Sequence, residues 1–129
     1  MIIGIVLHPY GEEKPGGLAR TIFEWTSALL RNGEDNEYLI FLKSGPKNAI
    51  SLPGKNRRVF ILGGGIFWLN RLKKFPQADV YLFQTPVLPL LFRPKNSVVI
   101  AQDFPYRYFT PKKFKGRLWN FFLDLYHSW

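Results

Sequence analysis

The chain has 129 residues, of which eighteen are Lys or Arg and nine are Asp or Glu, so its formal net charge is +9 at pH 7. Apolar residues make up 47% and aromatic residues 17%, a composition that excludes intrinsic disorder and predicts one domain over residues 1–129. The absence of cysteine excludes a disulfide framework and a thiolate zinc site. No basic leader precedes the first apolar run and no run is long enough to cross a bilayer, so we expect a cytoplasmic protein.

The basic excess lies mainly in the second half of the chain. Residues 1–64 hold eight basic and six acidic residues, a net charge of +2, whereas residues 65–129 hold ten basic and three acidic residues, a net charge of +7. This asymmetry suggests an anionic partner such as nucleic acid, acidic lipid or a phosphorylated substrate. A soluble surface that is basic for no functional reason explains the charge equally well.

Apolar runs and amphipathic segments alternate along the chain. Residues 1–7 form a β-branched run typical of a strand buried on both faces. Residues 18–31 have helical spacing and are followed by Gly33, a residue type that commonly ends helices. The spacing places one apolar stripe on this helix and a polar face opposite it. The predicted stripe contains Leu18, Ile22, Trp25 and Leu29, joined by Ala19, Phe23, Thr26 and Leu30, and the polar face contains Arg20, Glu24, Ser27 and Arg31.

The rest of the chain continues this alternation. The pattern predicts strands over 37–43, 57–62, 79–84 and 97–103, a short helix over 66–75, and a terminal helix from Pro111. Strands that alternate with helices favour right-handed crossovers. We therefore predict an α/β, Rossmann-like fold with a doubly wound, mainly parallel sheet of about five strands and flanking helices.

Ligands of such sheets bind beyond the carboxyl ends of the strands, where the strand order switches. Three loops with unusual chemistry leave predicted carboxyl ends: 8–17, 84–89 and 102–106. We expect them to approach one another at a single crevice. Gln84 and Thr85 begin the second of these loops and are candidate substrate-binding residues.

Gly16 and Gly17 directly precede the first predicted helix. The bare amides there and the positive end of the helix dipole favour an anion or a sugar hydroxyl, and glycine lets a ligand approach the backbone. The alternative is a tight strand-to-helix turn that requires positive φ. The sequence leaves both interpretations open.

Asp103 ends a predicted buried strand in the basic half of the chain. Its carboxylate would accept hydrogen bonds from an acceptor hydroxyl or act as a base, which makes it the candidate catalytic residue. The alternative is an Asx turn or a helix cap. Gln102, beside it, is a candidate substrate-binding residue.

Basic residues crowd the start of the terminal helix and aromatic residues follow them. The cations Lys112, Lys113, Lys115 and Arg117 oppose the helix dipole at that end. Cations beside aromatic side chains suit a membrane surface with anionic head groups, which would place the protein peripherally at the inner membrane face. The alternative is that the aromatic residues belong to the core and the lysines are merely solvated.

Two stretches resemble family 4 glycosyltransferases of the GT-B type. The first is "MIIGIVLHPYGEEKPGGLARTIFEWTSALLRNGEDNEYLIFLK", which is similar to the N-terminus of that family with its strand, Pro-Gly-Gly loop and amphipathic helix. The second is "ADVYLFQTPVLPLLFRPKNSVVIAQDFPYRYFTPKKFKGR", which resembles the family's later motif ending in a His-Asp pair. The order and spacing of these motifs carry the resemblance.

The resemblance implies that the chain is the incomplete N-terminal, acceptor-binding half of a GT-B fold. It implies that Gly16 and Gly17 lie near the acceptor and the donor diphosphate, and that Asp103 matches the Asp of the His-Asp pair, whose His is Gln102 here. The full enzyme would transfer a sugar from a nucleotide-sugar co-substrate to a saccharide or lipid-linked acceptor, with no metal and no cofactor.

The family's second domain, with its Glu-x7-Glu motif, has no counterpart in these residues. We therefore expect the chain to be inactive alone and to require a C-terminal donor-binding domain or a partner subunit. A fragment, a split subunit and a degenerate protein remain open alternatives. Because an incomplete sheet leaves an edge and a face uncovered, we also expect self-association or a partner.

Two other functions compete with the transferase interpretation. One is a non-enzymatic binding or regulatory subunit with the same core. The other is a basic nucleic-acid-binding domain, but no nucleic-acid-binding motif is present, so a nucleic-acid partner is not expected.

Overall fold

The computed structural model describes residues 1–10, 16–46, 52–85, 88–100, 116–118 and 120–122. The described residues up to Ile100 contain five strands, one long helix and one 3₁₀ helix. The strands are β1 Ile2–Leu7, β2 Glu37–Leu42, β3 Arg57–Ile61, β4 Val80–Phe83 and β5 Ser97–Val99, the helix α1 is Gly17–Asn32, and the 3₁₀ helix is Trp68–Lys74. Residues 116–118 and 120–122 are helical.

The five strands form one sheet in the order β3-β2-β1-β4-β5, and every neighbouring pair is parallel. In the central strand, Ile5 pairs with Ile40 of β2 and with Leu82 of β4. The strand order switches direction between β1 and β4. These observations confirm the prediction of a parallel, five-stranded α/β sheet.

Each face of the sheet has its own core. The α1 face buries Ile5, Leu7, Ile22, Leu30, Tyr38, Ile40, Leu42 and Leu52. The opposite face buries Val6, Leu39, Phe41, Leu62, Trp68, Leu69, Leu72, Tyr81 and Phe83. The β2–β3 connection, through Leu52, covers the α1 face, whereas the β3–β4 and β4–β5 connections, through Trp68 and Phe92, cover the opposite face. A single hand of crossover requires this division, because the chain reverses direction across the sheet after β3.

The buried side of α1 coincides with only part of the predicted apolar stripe. Ala19, Ile22, Thr26, Ser27 and Leu30 are buried, and Ser27, predicted on the polar face, is fully buried. Leu18, Trp25 and Leu29, predicted in the stripe, are 38–53% exposed. The prediction is confirmed for Ala19, Ile22, Thr26 and Leu30 and was wrong for Ser27 and for these three residues. Leu18, Trp25 and Leu29 lie on the flank of α1 that no other described element covers.

Gly33 ends α1, as predicted, but for a different physical reason. Its φ is −114°, which every L residue adopts, so the left-handed conformation is not needed. A Cβ at this position would instead collide with the Tyr38 hydroxyl. That hydroxyl donates a hydrogen bond to the Leu29 carbonyl at 3.2 Å. The glycine therefore makes room for a side chain that closes the end of the helix.

The other predicted boundaries agree with the structure to within a few residues where they are described. Residues 101–103 of the predicted fifth strand and most of the predicted terminal helix lie outside the described residues. In the part of the chain that the structure describes, no helix is long and apolar enough to cross a membrane.

Candidate ligand-binding site at the carboxyl edge of the sheet

The strand-order switch brings the ends of β1 and β4 together. Val6 pairs with Phe83, the last residue of β4. His8 follows β1, and Gln84 and Thr85 follow β4, so these three residues leave neighbouring strands at the same edge of the sheet. This edge is where parallel α/β sheets bind ligands.

Gly16 and Gly17 begin α1 at the same edge. Gly16 is the N-cap residue, with φ −69° and ψ 173°, and both glycines are exposed. A Cβ built on either glycine meets no atom of the described residues within 4 Å. Neither positive φ nor close packing therefore requires glycine here, so the alternative of a turn that needs positive φ is wrong. The first turn of α1 has no side-chain cap, because its N-cap residue is Gly16.

Gln84 points beneath α1 rather than out beyond the strand ends. It is 1% exposed, and its Nε2 donates a hydrogen bond to Oγ1 of Thr26 at 3.1 Å. The Gln84 Oε1 and the Ser27 Oγ are buried and have no hydrogen-bond partner among the described residues. A buried acceptor without a partner is uncommon and costly, so it is a point at which a further donor would stabilise the protein.

The contact between Gln84 and Thr26 fixes the height of α1 relative to the sheet. Gly17 and Thr26 are nine positions apart, which corresponds to about 13 Å along a helix axis. The glycine amides therefore lie about 13 Å along α1 from the contact with Gln84. The sequence assigns the glycine amides and Gln84 to one crevice, but the structure separates them along the axis of α1. Thr85, which directly follows Gln84, is half-buried.

Two residues that the sequence analysis did not select meet on one indole. The rings of His8 and Trp68 are edge to face, with centroids 5.3 Å apart. The Lys43 Nζ lies 5.9 Å from the centroid of the same Trp68 ring, at cation–π distance. Trp68 is only 5% exposed, so it holds both side chains against a fixed surface. His8 and Lys43 each directly follow a buried strand, and that position at the ligand-binding edge was the signal that would have identified them.

Arg71, a cation in the 3₁₀ helix, forms a hydrogen bond with the backbone. Its Nη1 donates a hydrogen bond to the Leu62 carbonyl at 2.7 Å, next to the glycine turn that follows β3. In that turn Gly63 has φ +85° and Gly65 has φ +104°, a conformation that favours glycine. The cation therefore stabilises a turn, and Lys43 is better placed to meet an anion.

Tyr10, in the loop after β1, packs against the core of the α1 face. Its ring stacks on Phe23 with a centroid distance of 6.4 Å. Burial raises the pKa of the Tyr10 phenol, and the charge of Arg57 partly opposes that rise. Tyr10 is therefore protonated at neutral pH and is able to donate a hydrogen bond.

The remaining predicted site residues fall elsewhere. Gln102, Asp103, Lys112, Lys113 and Lys115 lie outside the described residues. Arg117 lies in the described helical residues 116–118 and is exposed. The described part of the site consists of the α1 N-terminus, the residues after β1 and β4, and the indole cluster of His8, Lys43 and Trp68.

No family model, curated protein or solved structure matches this chain.

Proposed function

We propose that this chain is the acceptor-binding half of a GT-B glycosyltransferase, which transfers a sugar from a nucleotide-sugar donor to a saccharide or lipid-linked acceptor. The observation that carries the proposal is the strand order β3-β2-β1-β4-β5, with an uncapped helix N-terminus beside the switch between β1 and β4. The sugar chemistry rests on the sequence resemblance of residues 1–43 and 78–117. The fold supports it because GT-B halves are Rossmann-like.

In this proposal the backbone amides of Gly17 and its neighbours donate hydrogen bonds to a sugar hydroxyl or a phosphate oxygen. The open space around both glycines supports this role, since neither residue is needed for the turn itself. Lys43, held on the Trp68 indole, provides a cation for an anionic group at the same edge. Asp103 accepts a hydrogen bond from the acceptor, and Gln102 binds without moving a proton, because an amide does not titrate.

The donor nucleotide would be held by a C-terminal domain or by a partner subunit. Proximity of the two halves is required, because sugar transfer needs donor and acceptor in one oriented complex. The chain alone would therefore bind an acceptor without transferring sugar to it. Contact of Lys112, Lys113, Lys115 and Arg117 with anionic head groups would bring this half to the inner membrane face, where a lipid-linked acceptor lies.

The test is a titration of the ¹⁵N-labelled chain with saccharides, with lipid-linked saccharides in micelles and with nucleotide sugars. We expect acceptor-type ligands to shift the amide signals of Gly17, His8 and Thr85, and Gly17→Val to weaken binding. The matched control is Gly64→Val, since Gly64 also has open space around it and lies in a different turn. Equal binding by both variants, or shifts confined to another surface, would contradict the assignment of the site.

The competing functions give different outcomes in the same series. Turnover of a nucleotide sugar by this chain alone would refute the two-half arrangement. Oligonucleotide binding that weakens steeply with salt, with no response to saccharides, would instead support the basic nucleic-acid-binding alternative.

A further inference from the structure

An open apolar trough runs along the α1 face of the sheet, between α1 and strands β4 and β5. Its volume is about 670 Å³. Trp25 and Leu29 of α1 form one wall, and Leu82 and Ile100 form the other. None of its lining residues is charged. Trp25 is 53% exposed and Val98 of β5, on the same face, is 52% exposed, so this part of the sheet lacks a covering layer among the described residues.

The topology explains why the trough is open. The β1–β2 and β2–β3 connections cover the α1 face only over β1, β2 and β3, and the β3–β4 and β4–β5 connections lie on the opposite face. With crossovers of one hand, no connection between β1 and β5 is able to reach the α1 face of β4 and β5. The cover must come from residues that follow β5 or from another molecule.

The chain itself provides a candidate for this cover. The described part of the sheet ends at Ile100, which lines the trough, and 29 further residues follow. They include the apolar sequence "LWNFFLDLYHSW" over residues 118–129, of which 118 and 120–122 are described and helical. Leu118, Phe121 and Phe122 are exposed by 45–61% in the structure. One chain therefore carries an uncovered groove and an uncovered apolar helix.

We propose that the trough is the docking groove for this chain's own C-terminal segment, residues 116–129. Residues 101–115 reach about 50 Å when extended, whereas the part of α1 that lines the trough, from Trp25 to Asn32, is roughly 11 Å long. A covalently attached segment has an effective concentration in the millimolar range, which favours it over a second copy of the chain. Docking buries Trp25 and Leu29 together with the phenylalanines, and removes both apolar surfaces from water.

An unpaired polar atom beside the trough supports the same occupant. Gln84 lines the trough, and its Oε1 has no hydrogen-bond partner among the described residues. The proposed occupant contains Trp119 and Trp129, whose indole N–H groups are donors on apolar side chains. A tryptophan fills an apolar groove and carries one donor, and it bonds the Gln84 Oε1, which is buried in the structure, only when that side chain turns toward the trough.

The natural chain has no cysteine, so engineered pairs report the contact without background. The test compares the full-length chain carrying Phe122→Cys together with Leu29→Cys, Leu91→Cys or Arg20→Cys under mild oxidation. Leu91 is 79% exposed and belongs to the connection on the opposite face of the sheet, and Arg20 is exposed in the first turns of α1. We expect an intramolecular disulfide for the Leu29 pair and none for the two control pairs.

Each other outcome refutes the proposal. A Leu29 pair that stays reduced shows that the segment does not dock in the trough, and a disulfide to Leu91 places it on the opposite face. A disulfide-linked dimer, separated from the monomer on a non-reducing gel, assigns the trough to a second copy.

A maleimide-labelling experiment tests the same contact in case a double cysteine variant fails to fold. The thiol of Leu29→Cys alone should react with maleimide about tenfold faster when Phe121→Asp and Phe122→Asp are added, because the docked segment protects it. The thiol of Arg20→Cys should react at one rate in both backgrounds. An unchanged rate at Leu29→Cys contradicts the proposal. A rise at both positions shows that the added substitutions unfold the chain, and the disulfide test of Phe122→Cys with Leu29→Cys then decides.

Discussion

The buried hydrogen bond between Thr26 and Gln84 links α1 to β4, and its removal tests how the helix is held on the sheet. Thr26 is fully buried and Gln84 is 1% exposed, and 58 positions separate them in the sequence. Thr26→Val keeps the shape of the side chain and removes the hydroxyl. The Gln84 Nε2 then loses its acceptor, and the Gln84 Oε1 already lacks a donor, so neither polar atom of this amide has a partner among the described residues. We expect this variant to unfold more easily than the parent chain.

The structure sets the expected magnitudes. A buried polar group left without a partner costs about 1–3 kcal/mol, so Thr26→Val should lower the unfolding free energy by that amount. Gln84→Leu should cost about 1 kcal/mol or less, because the Thr26 hydroxyl is able to bond to the carbonyl one turn back in its own helix. The double variant removes every polar group of the pair and should be within about 1 kcal/mol of the parent. The double-mutant coupling energy is then about 1 kcal/mol or more.

Urea unfolding followed by tryptophan fluorescence measures these differences in unfolding free energy, provided that the variants have the same m-value as the parent. Each kcal/mol corresponds to a change of about 3–5 °C in Tm for a chain of this size. Ser27→Ala is the control, since it removes another buried hydroxyl that has no partner among the described residues and should be neutral or stabilising. If the two single effects add to within about 0.3 kcal/mol, or if Thr26→Val is as stable as the parent, the hydrogen bond does not hold α1 on β4 and the reasoning fails.

Three further predictions follow from packing and burial. Gly33→Ala should lower the unfolding free energy by about 1–3 kcal/mol, because the new Cβ meets the Tyr38 hydroxyl. Adding Tyr38→Phe should restore part of that loss. Gly17→Ala, with open space around it, should be neutral or stabilising in the same urea titration. Leu72→Ala removes a fully buried side chain from the core opposite α1 and should cost about 2–5 kcal/mol, so a loss below about 1 kcal/mol would show that this core is loosely packed. Burial raises the pKa of Tyr81, against a smaller lowering by its hydrogen bond from the Ala78 amide, so the unfolded chain loses this proton first. Its stabilising contribution is therefore present below about pH 10 and is lost as the pH rises through the raised pKa. Tyr81→Phe should flatten the alkaline fall in stability, and an unchanged pH profile would contradict this assignment.

The alternation of strands and helices, and hence the parallel α/β sheet, was determined by the sequence alone. Continuous β-branched runs such as residues 1–7 indicate strands buried on both faces, and parallel strands need crossovers of the kind that 18–31 provides. The carboxyl edge as the place for a ligand also follows from that alternation. Gly16, Gly17, Gln84 and Thr85 were found in this way, because each directly follows a strand or begins a helix at that edge.

Which residues of those elements meet was decided by the tertiary structure. Helical periodicity shows that α1 has a broad apolar stripe, which joins the row from Leu18 to Leu29 to the row from Ala19 to Leu30. Only the position of the sheet decides that the second row is the buried one, and it buries Ser27 as a consequence.

The same limit applies to the site. His8, Lys43 and Trp68 are separated by 35 and 25 positions, and no local pattern encodes that one indole receives both side chains. Gln84 reaches Thr26 rather than the open crevice because β4, not β2, follows β1 on that side of the sheet. Local residue preferences determine which elements form, whereas contacts between residues far apart in sequence depend on strand order and on how α1 is seated over the strands, because side chains meet only where the backbone has already been placed.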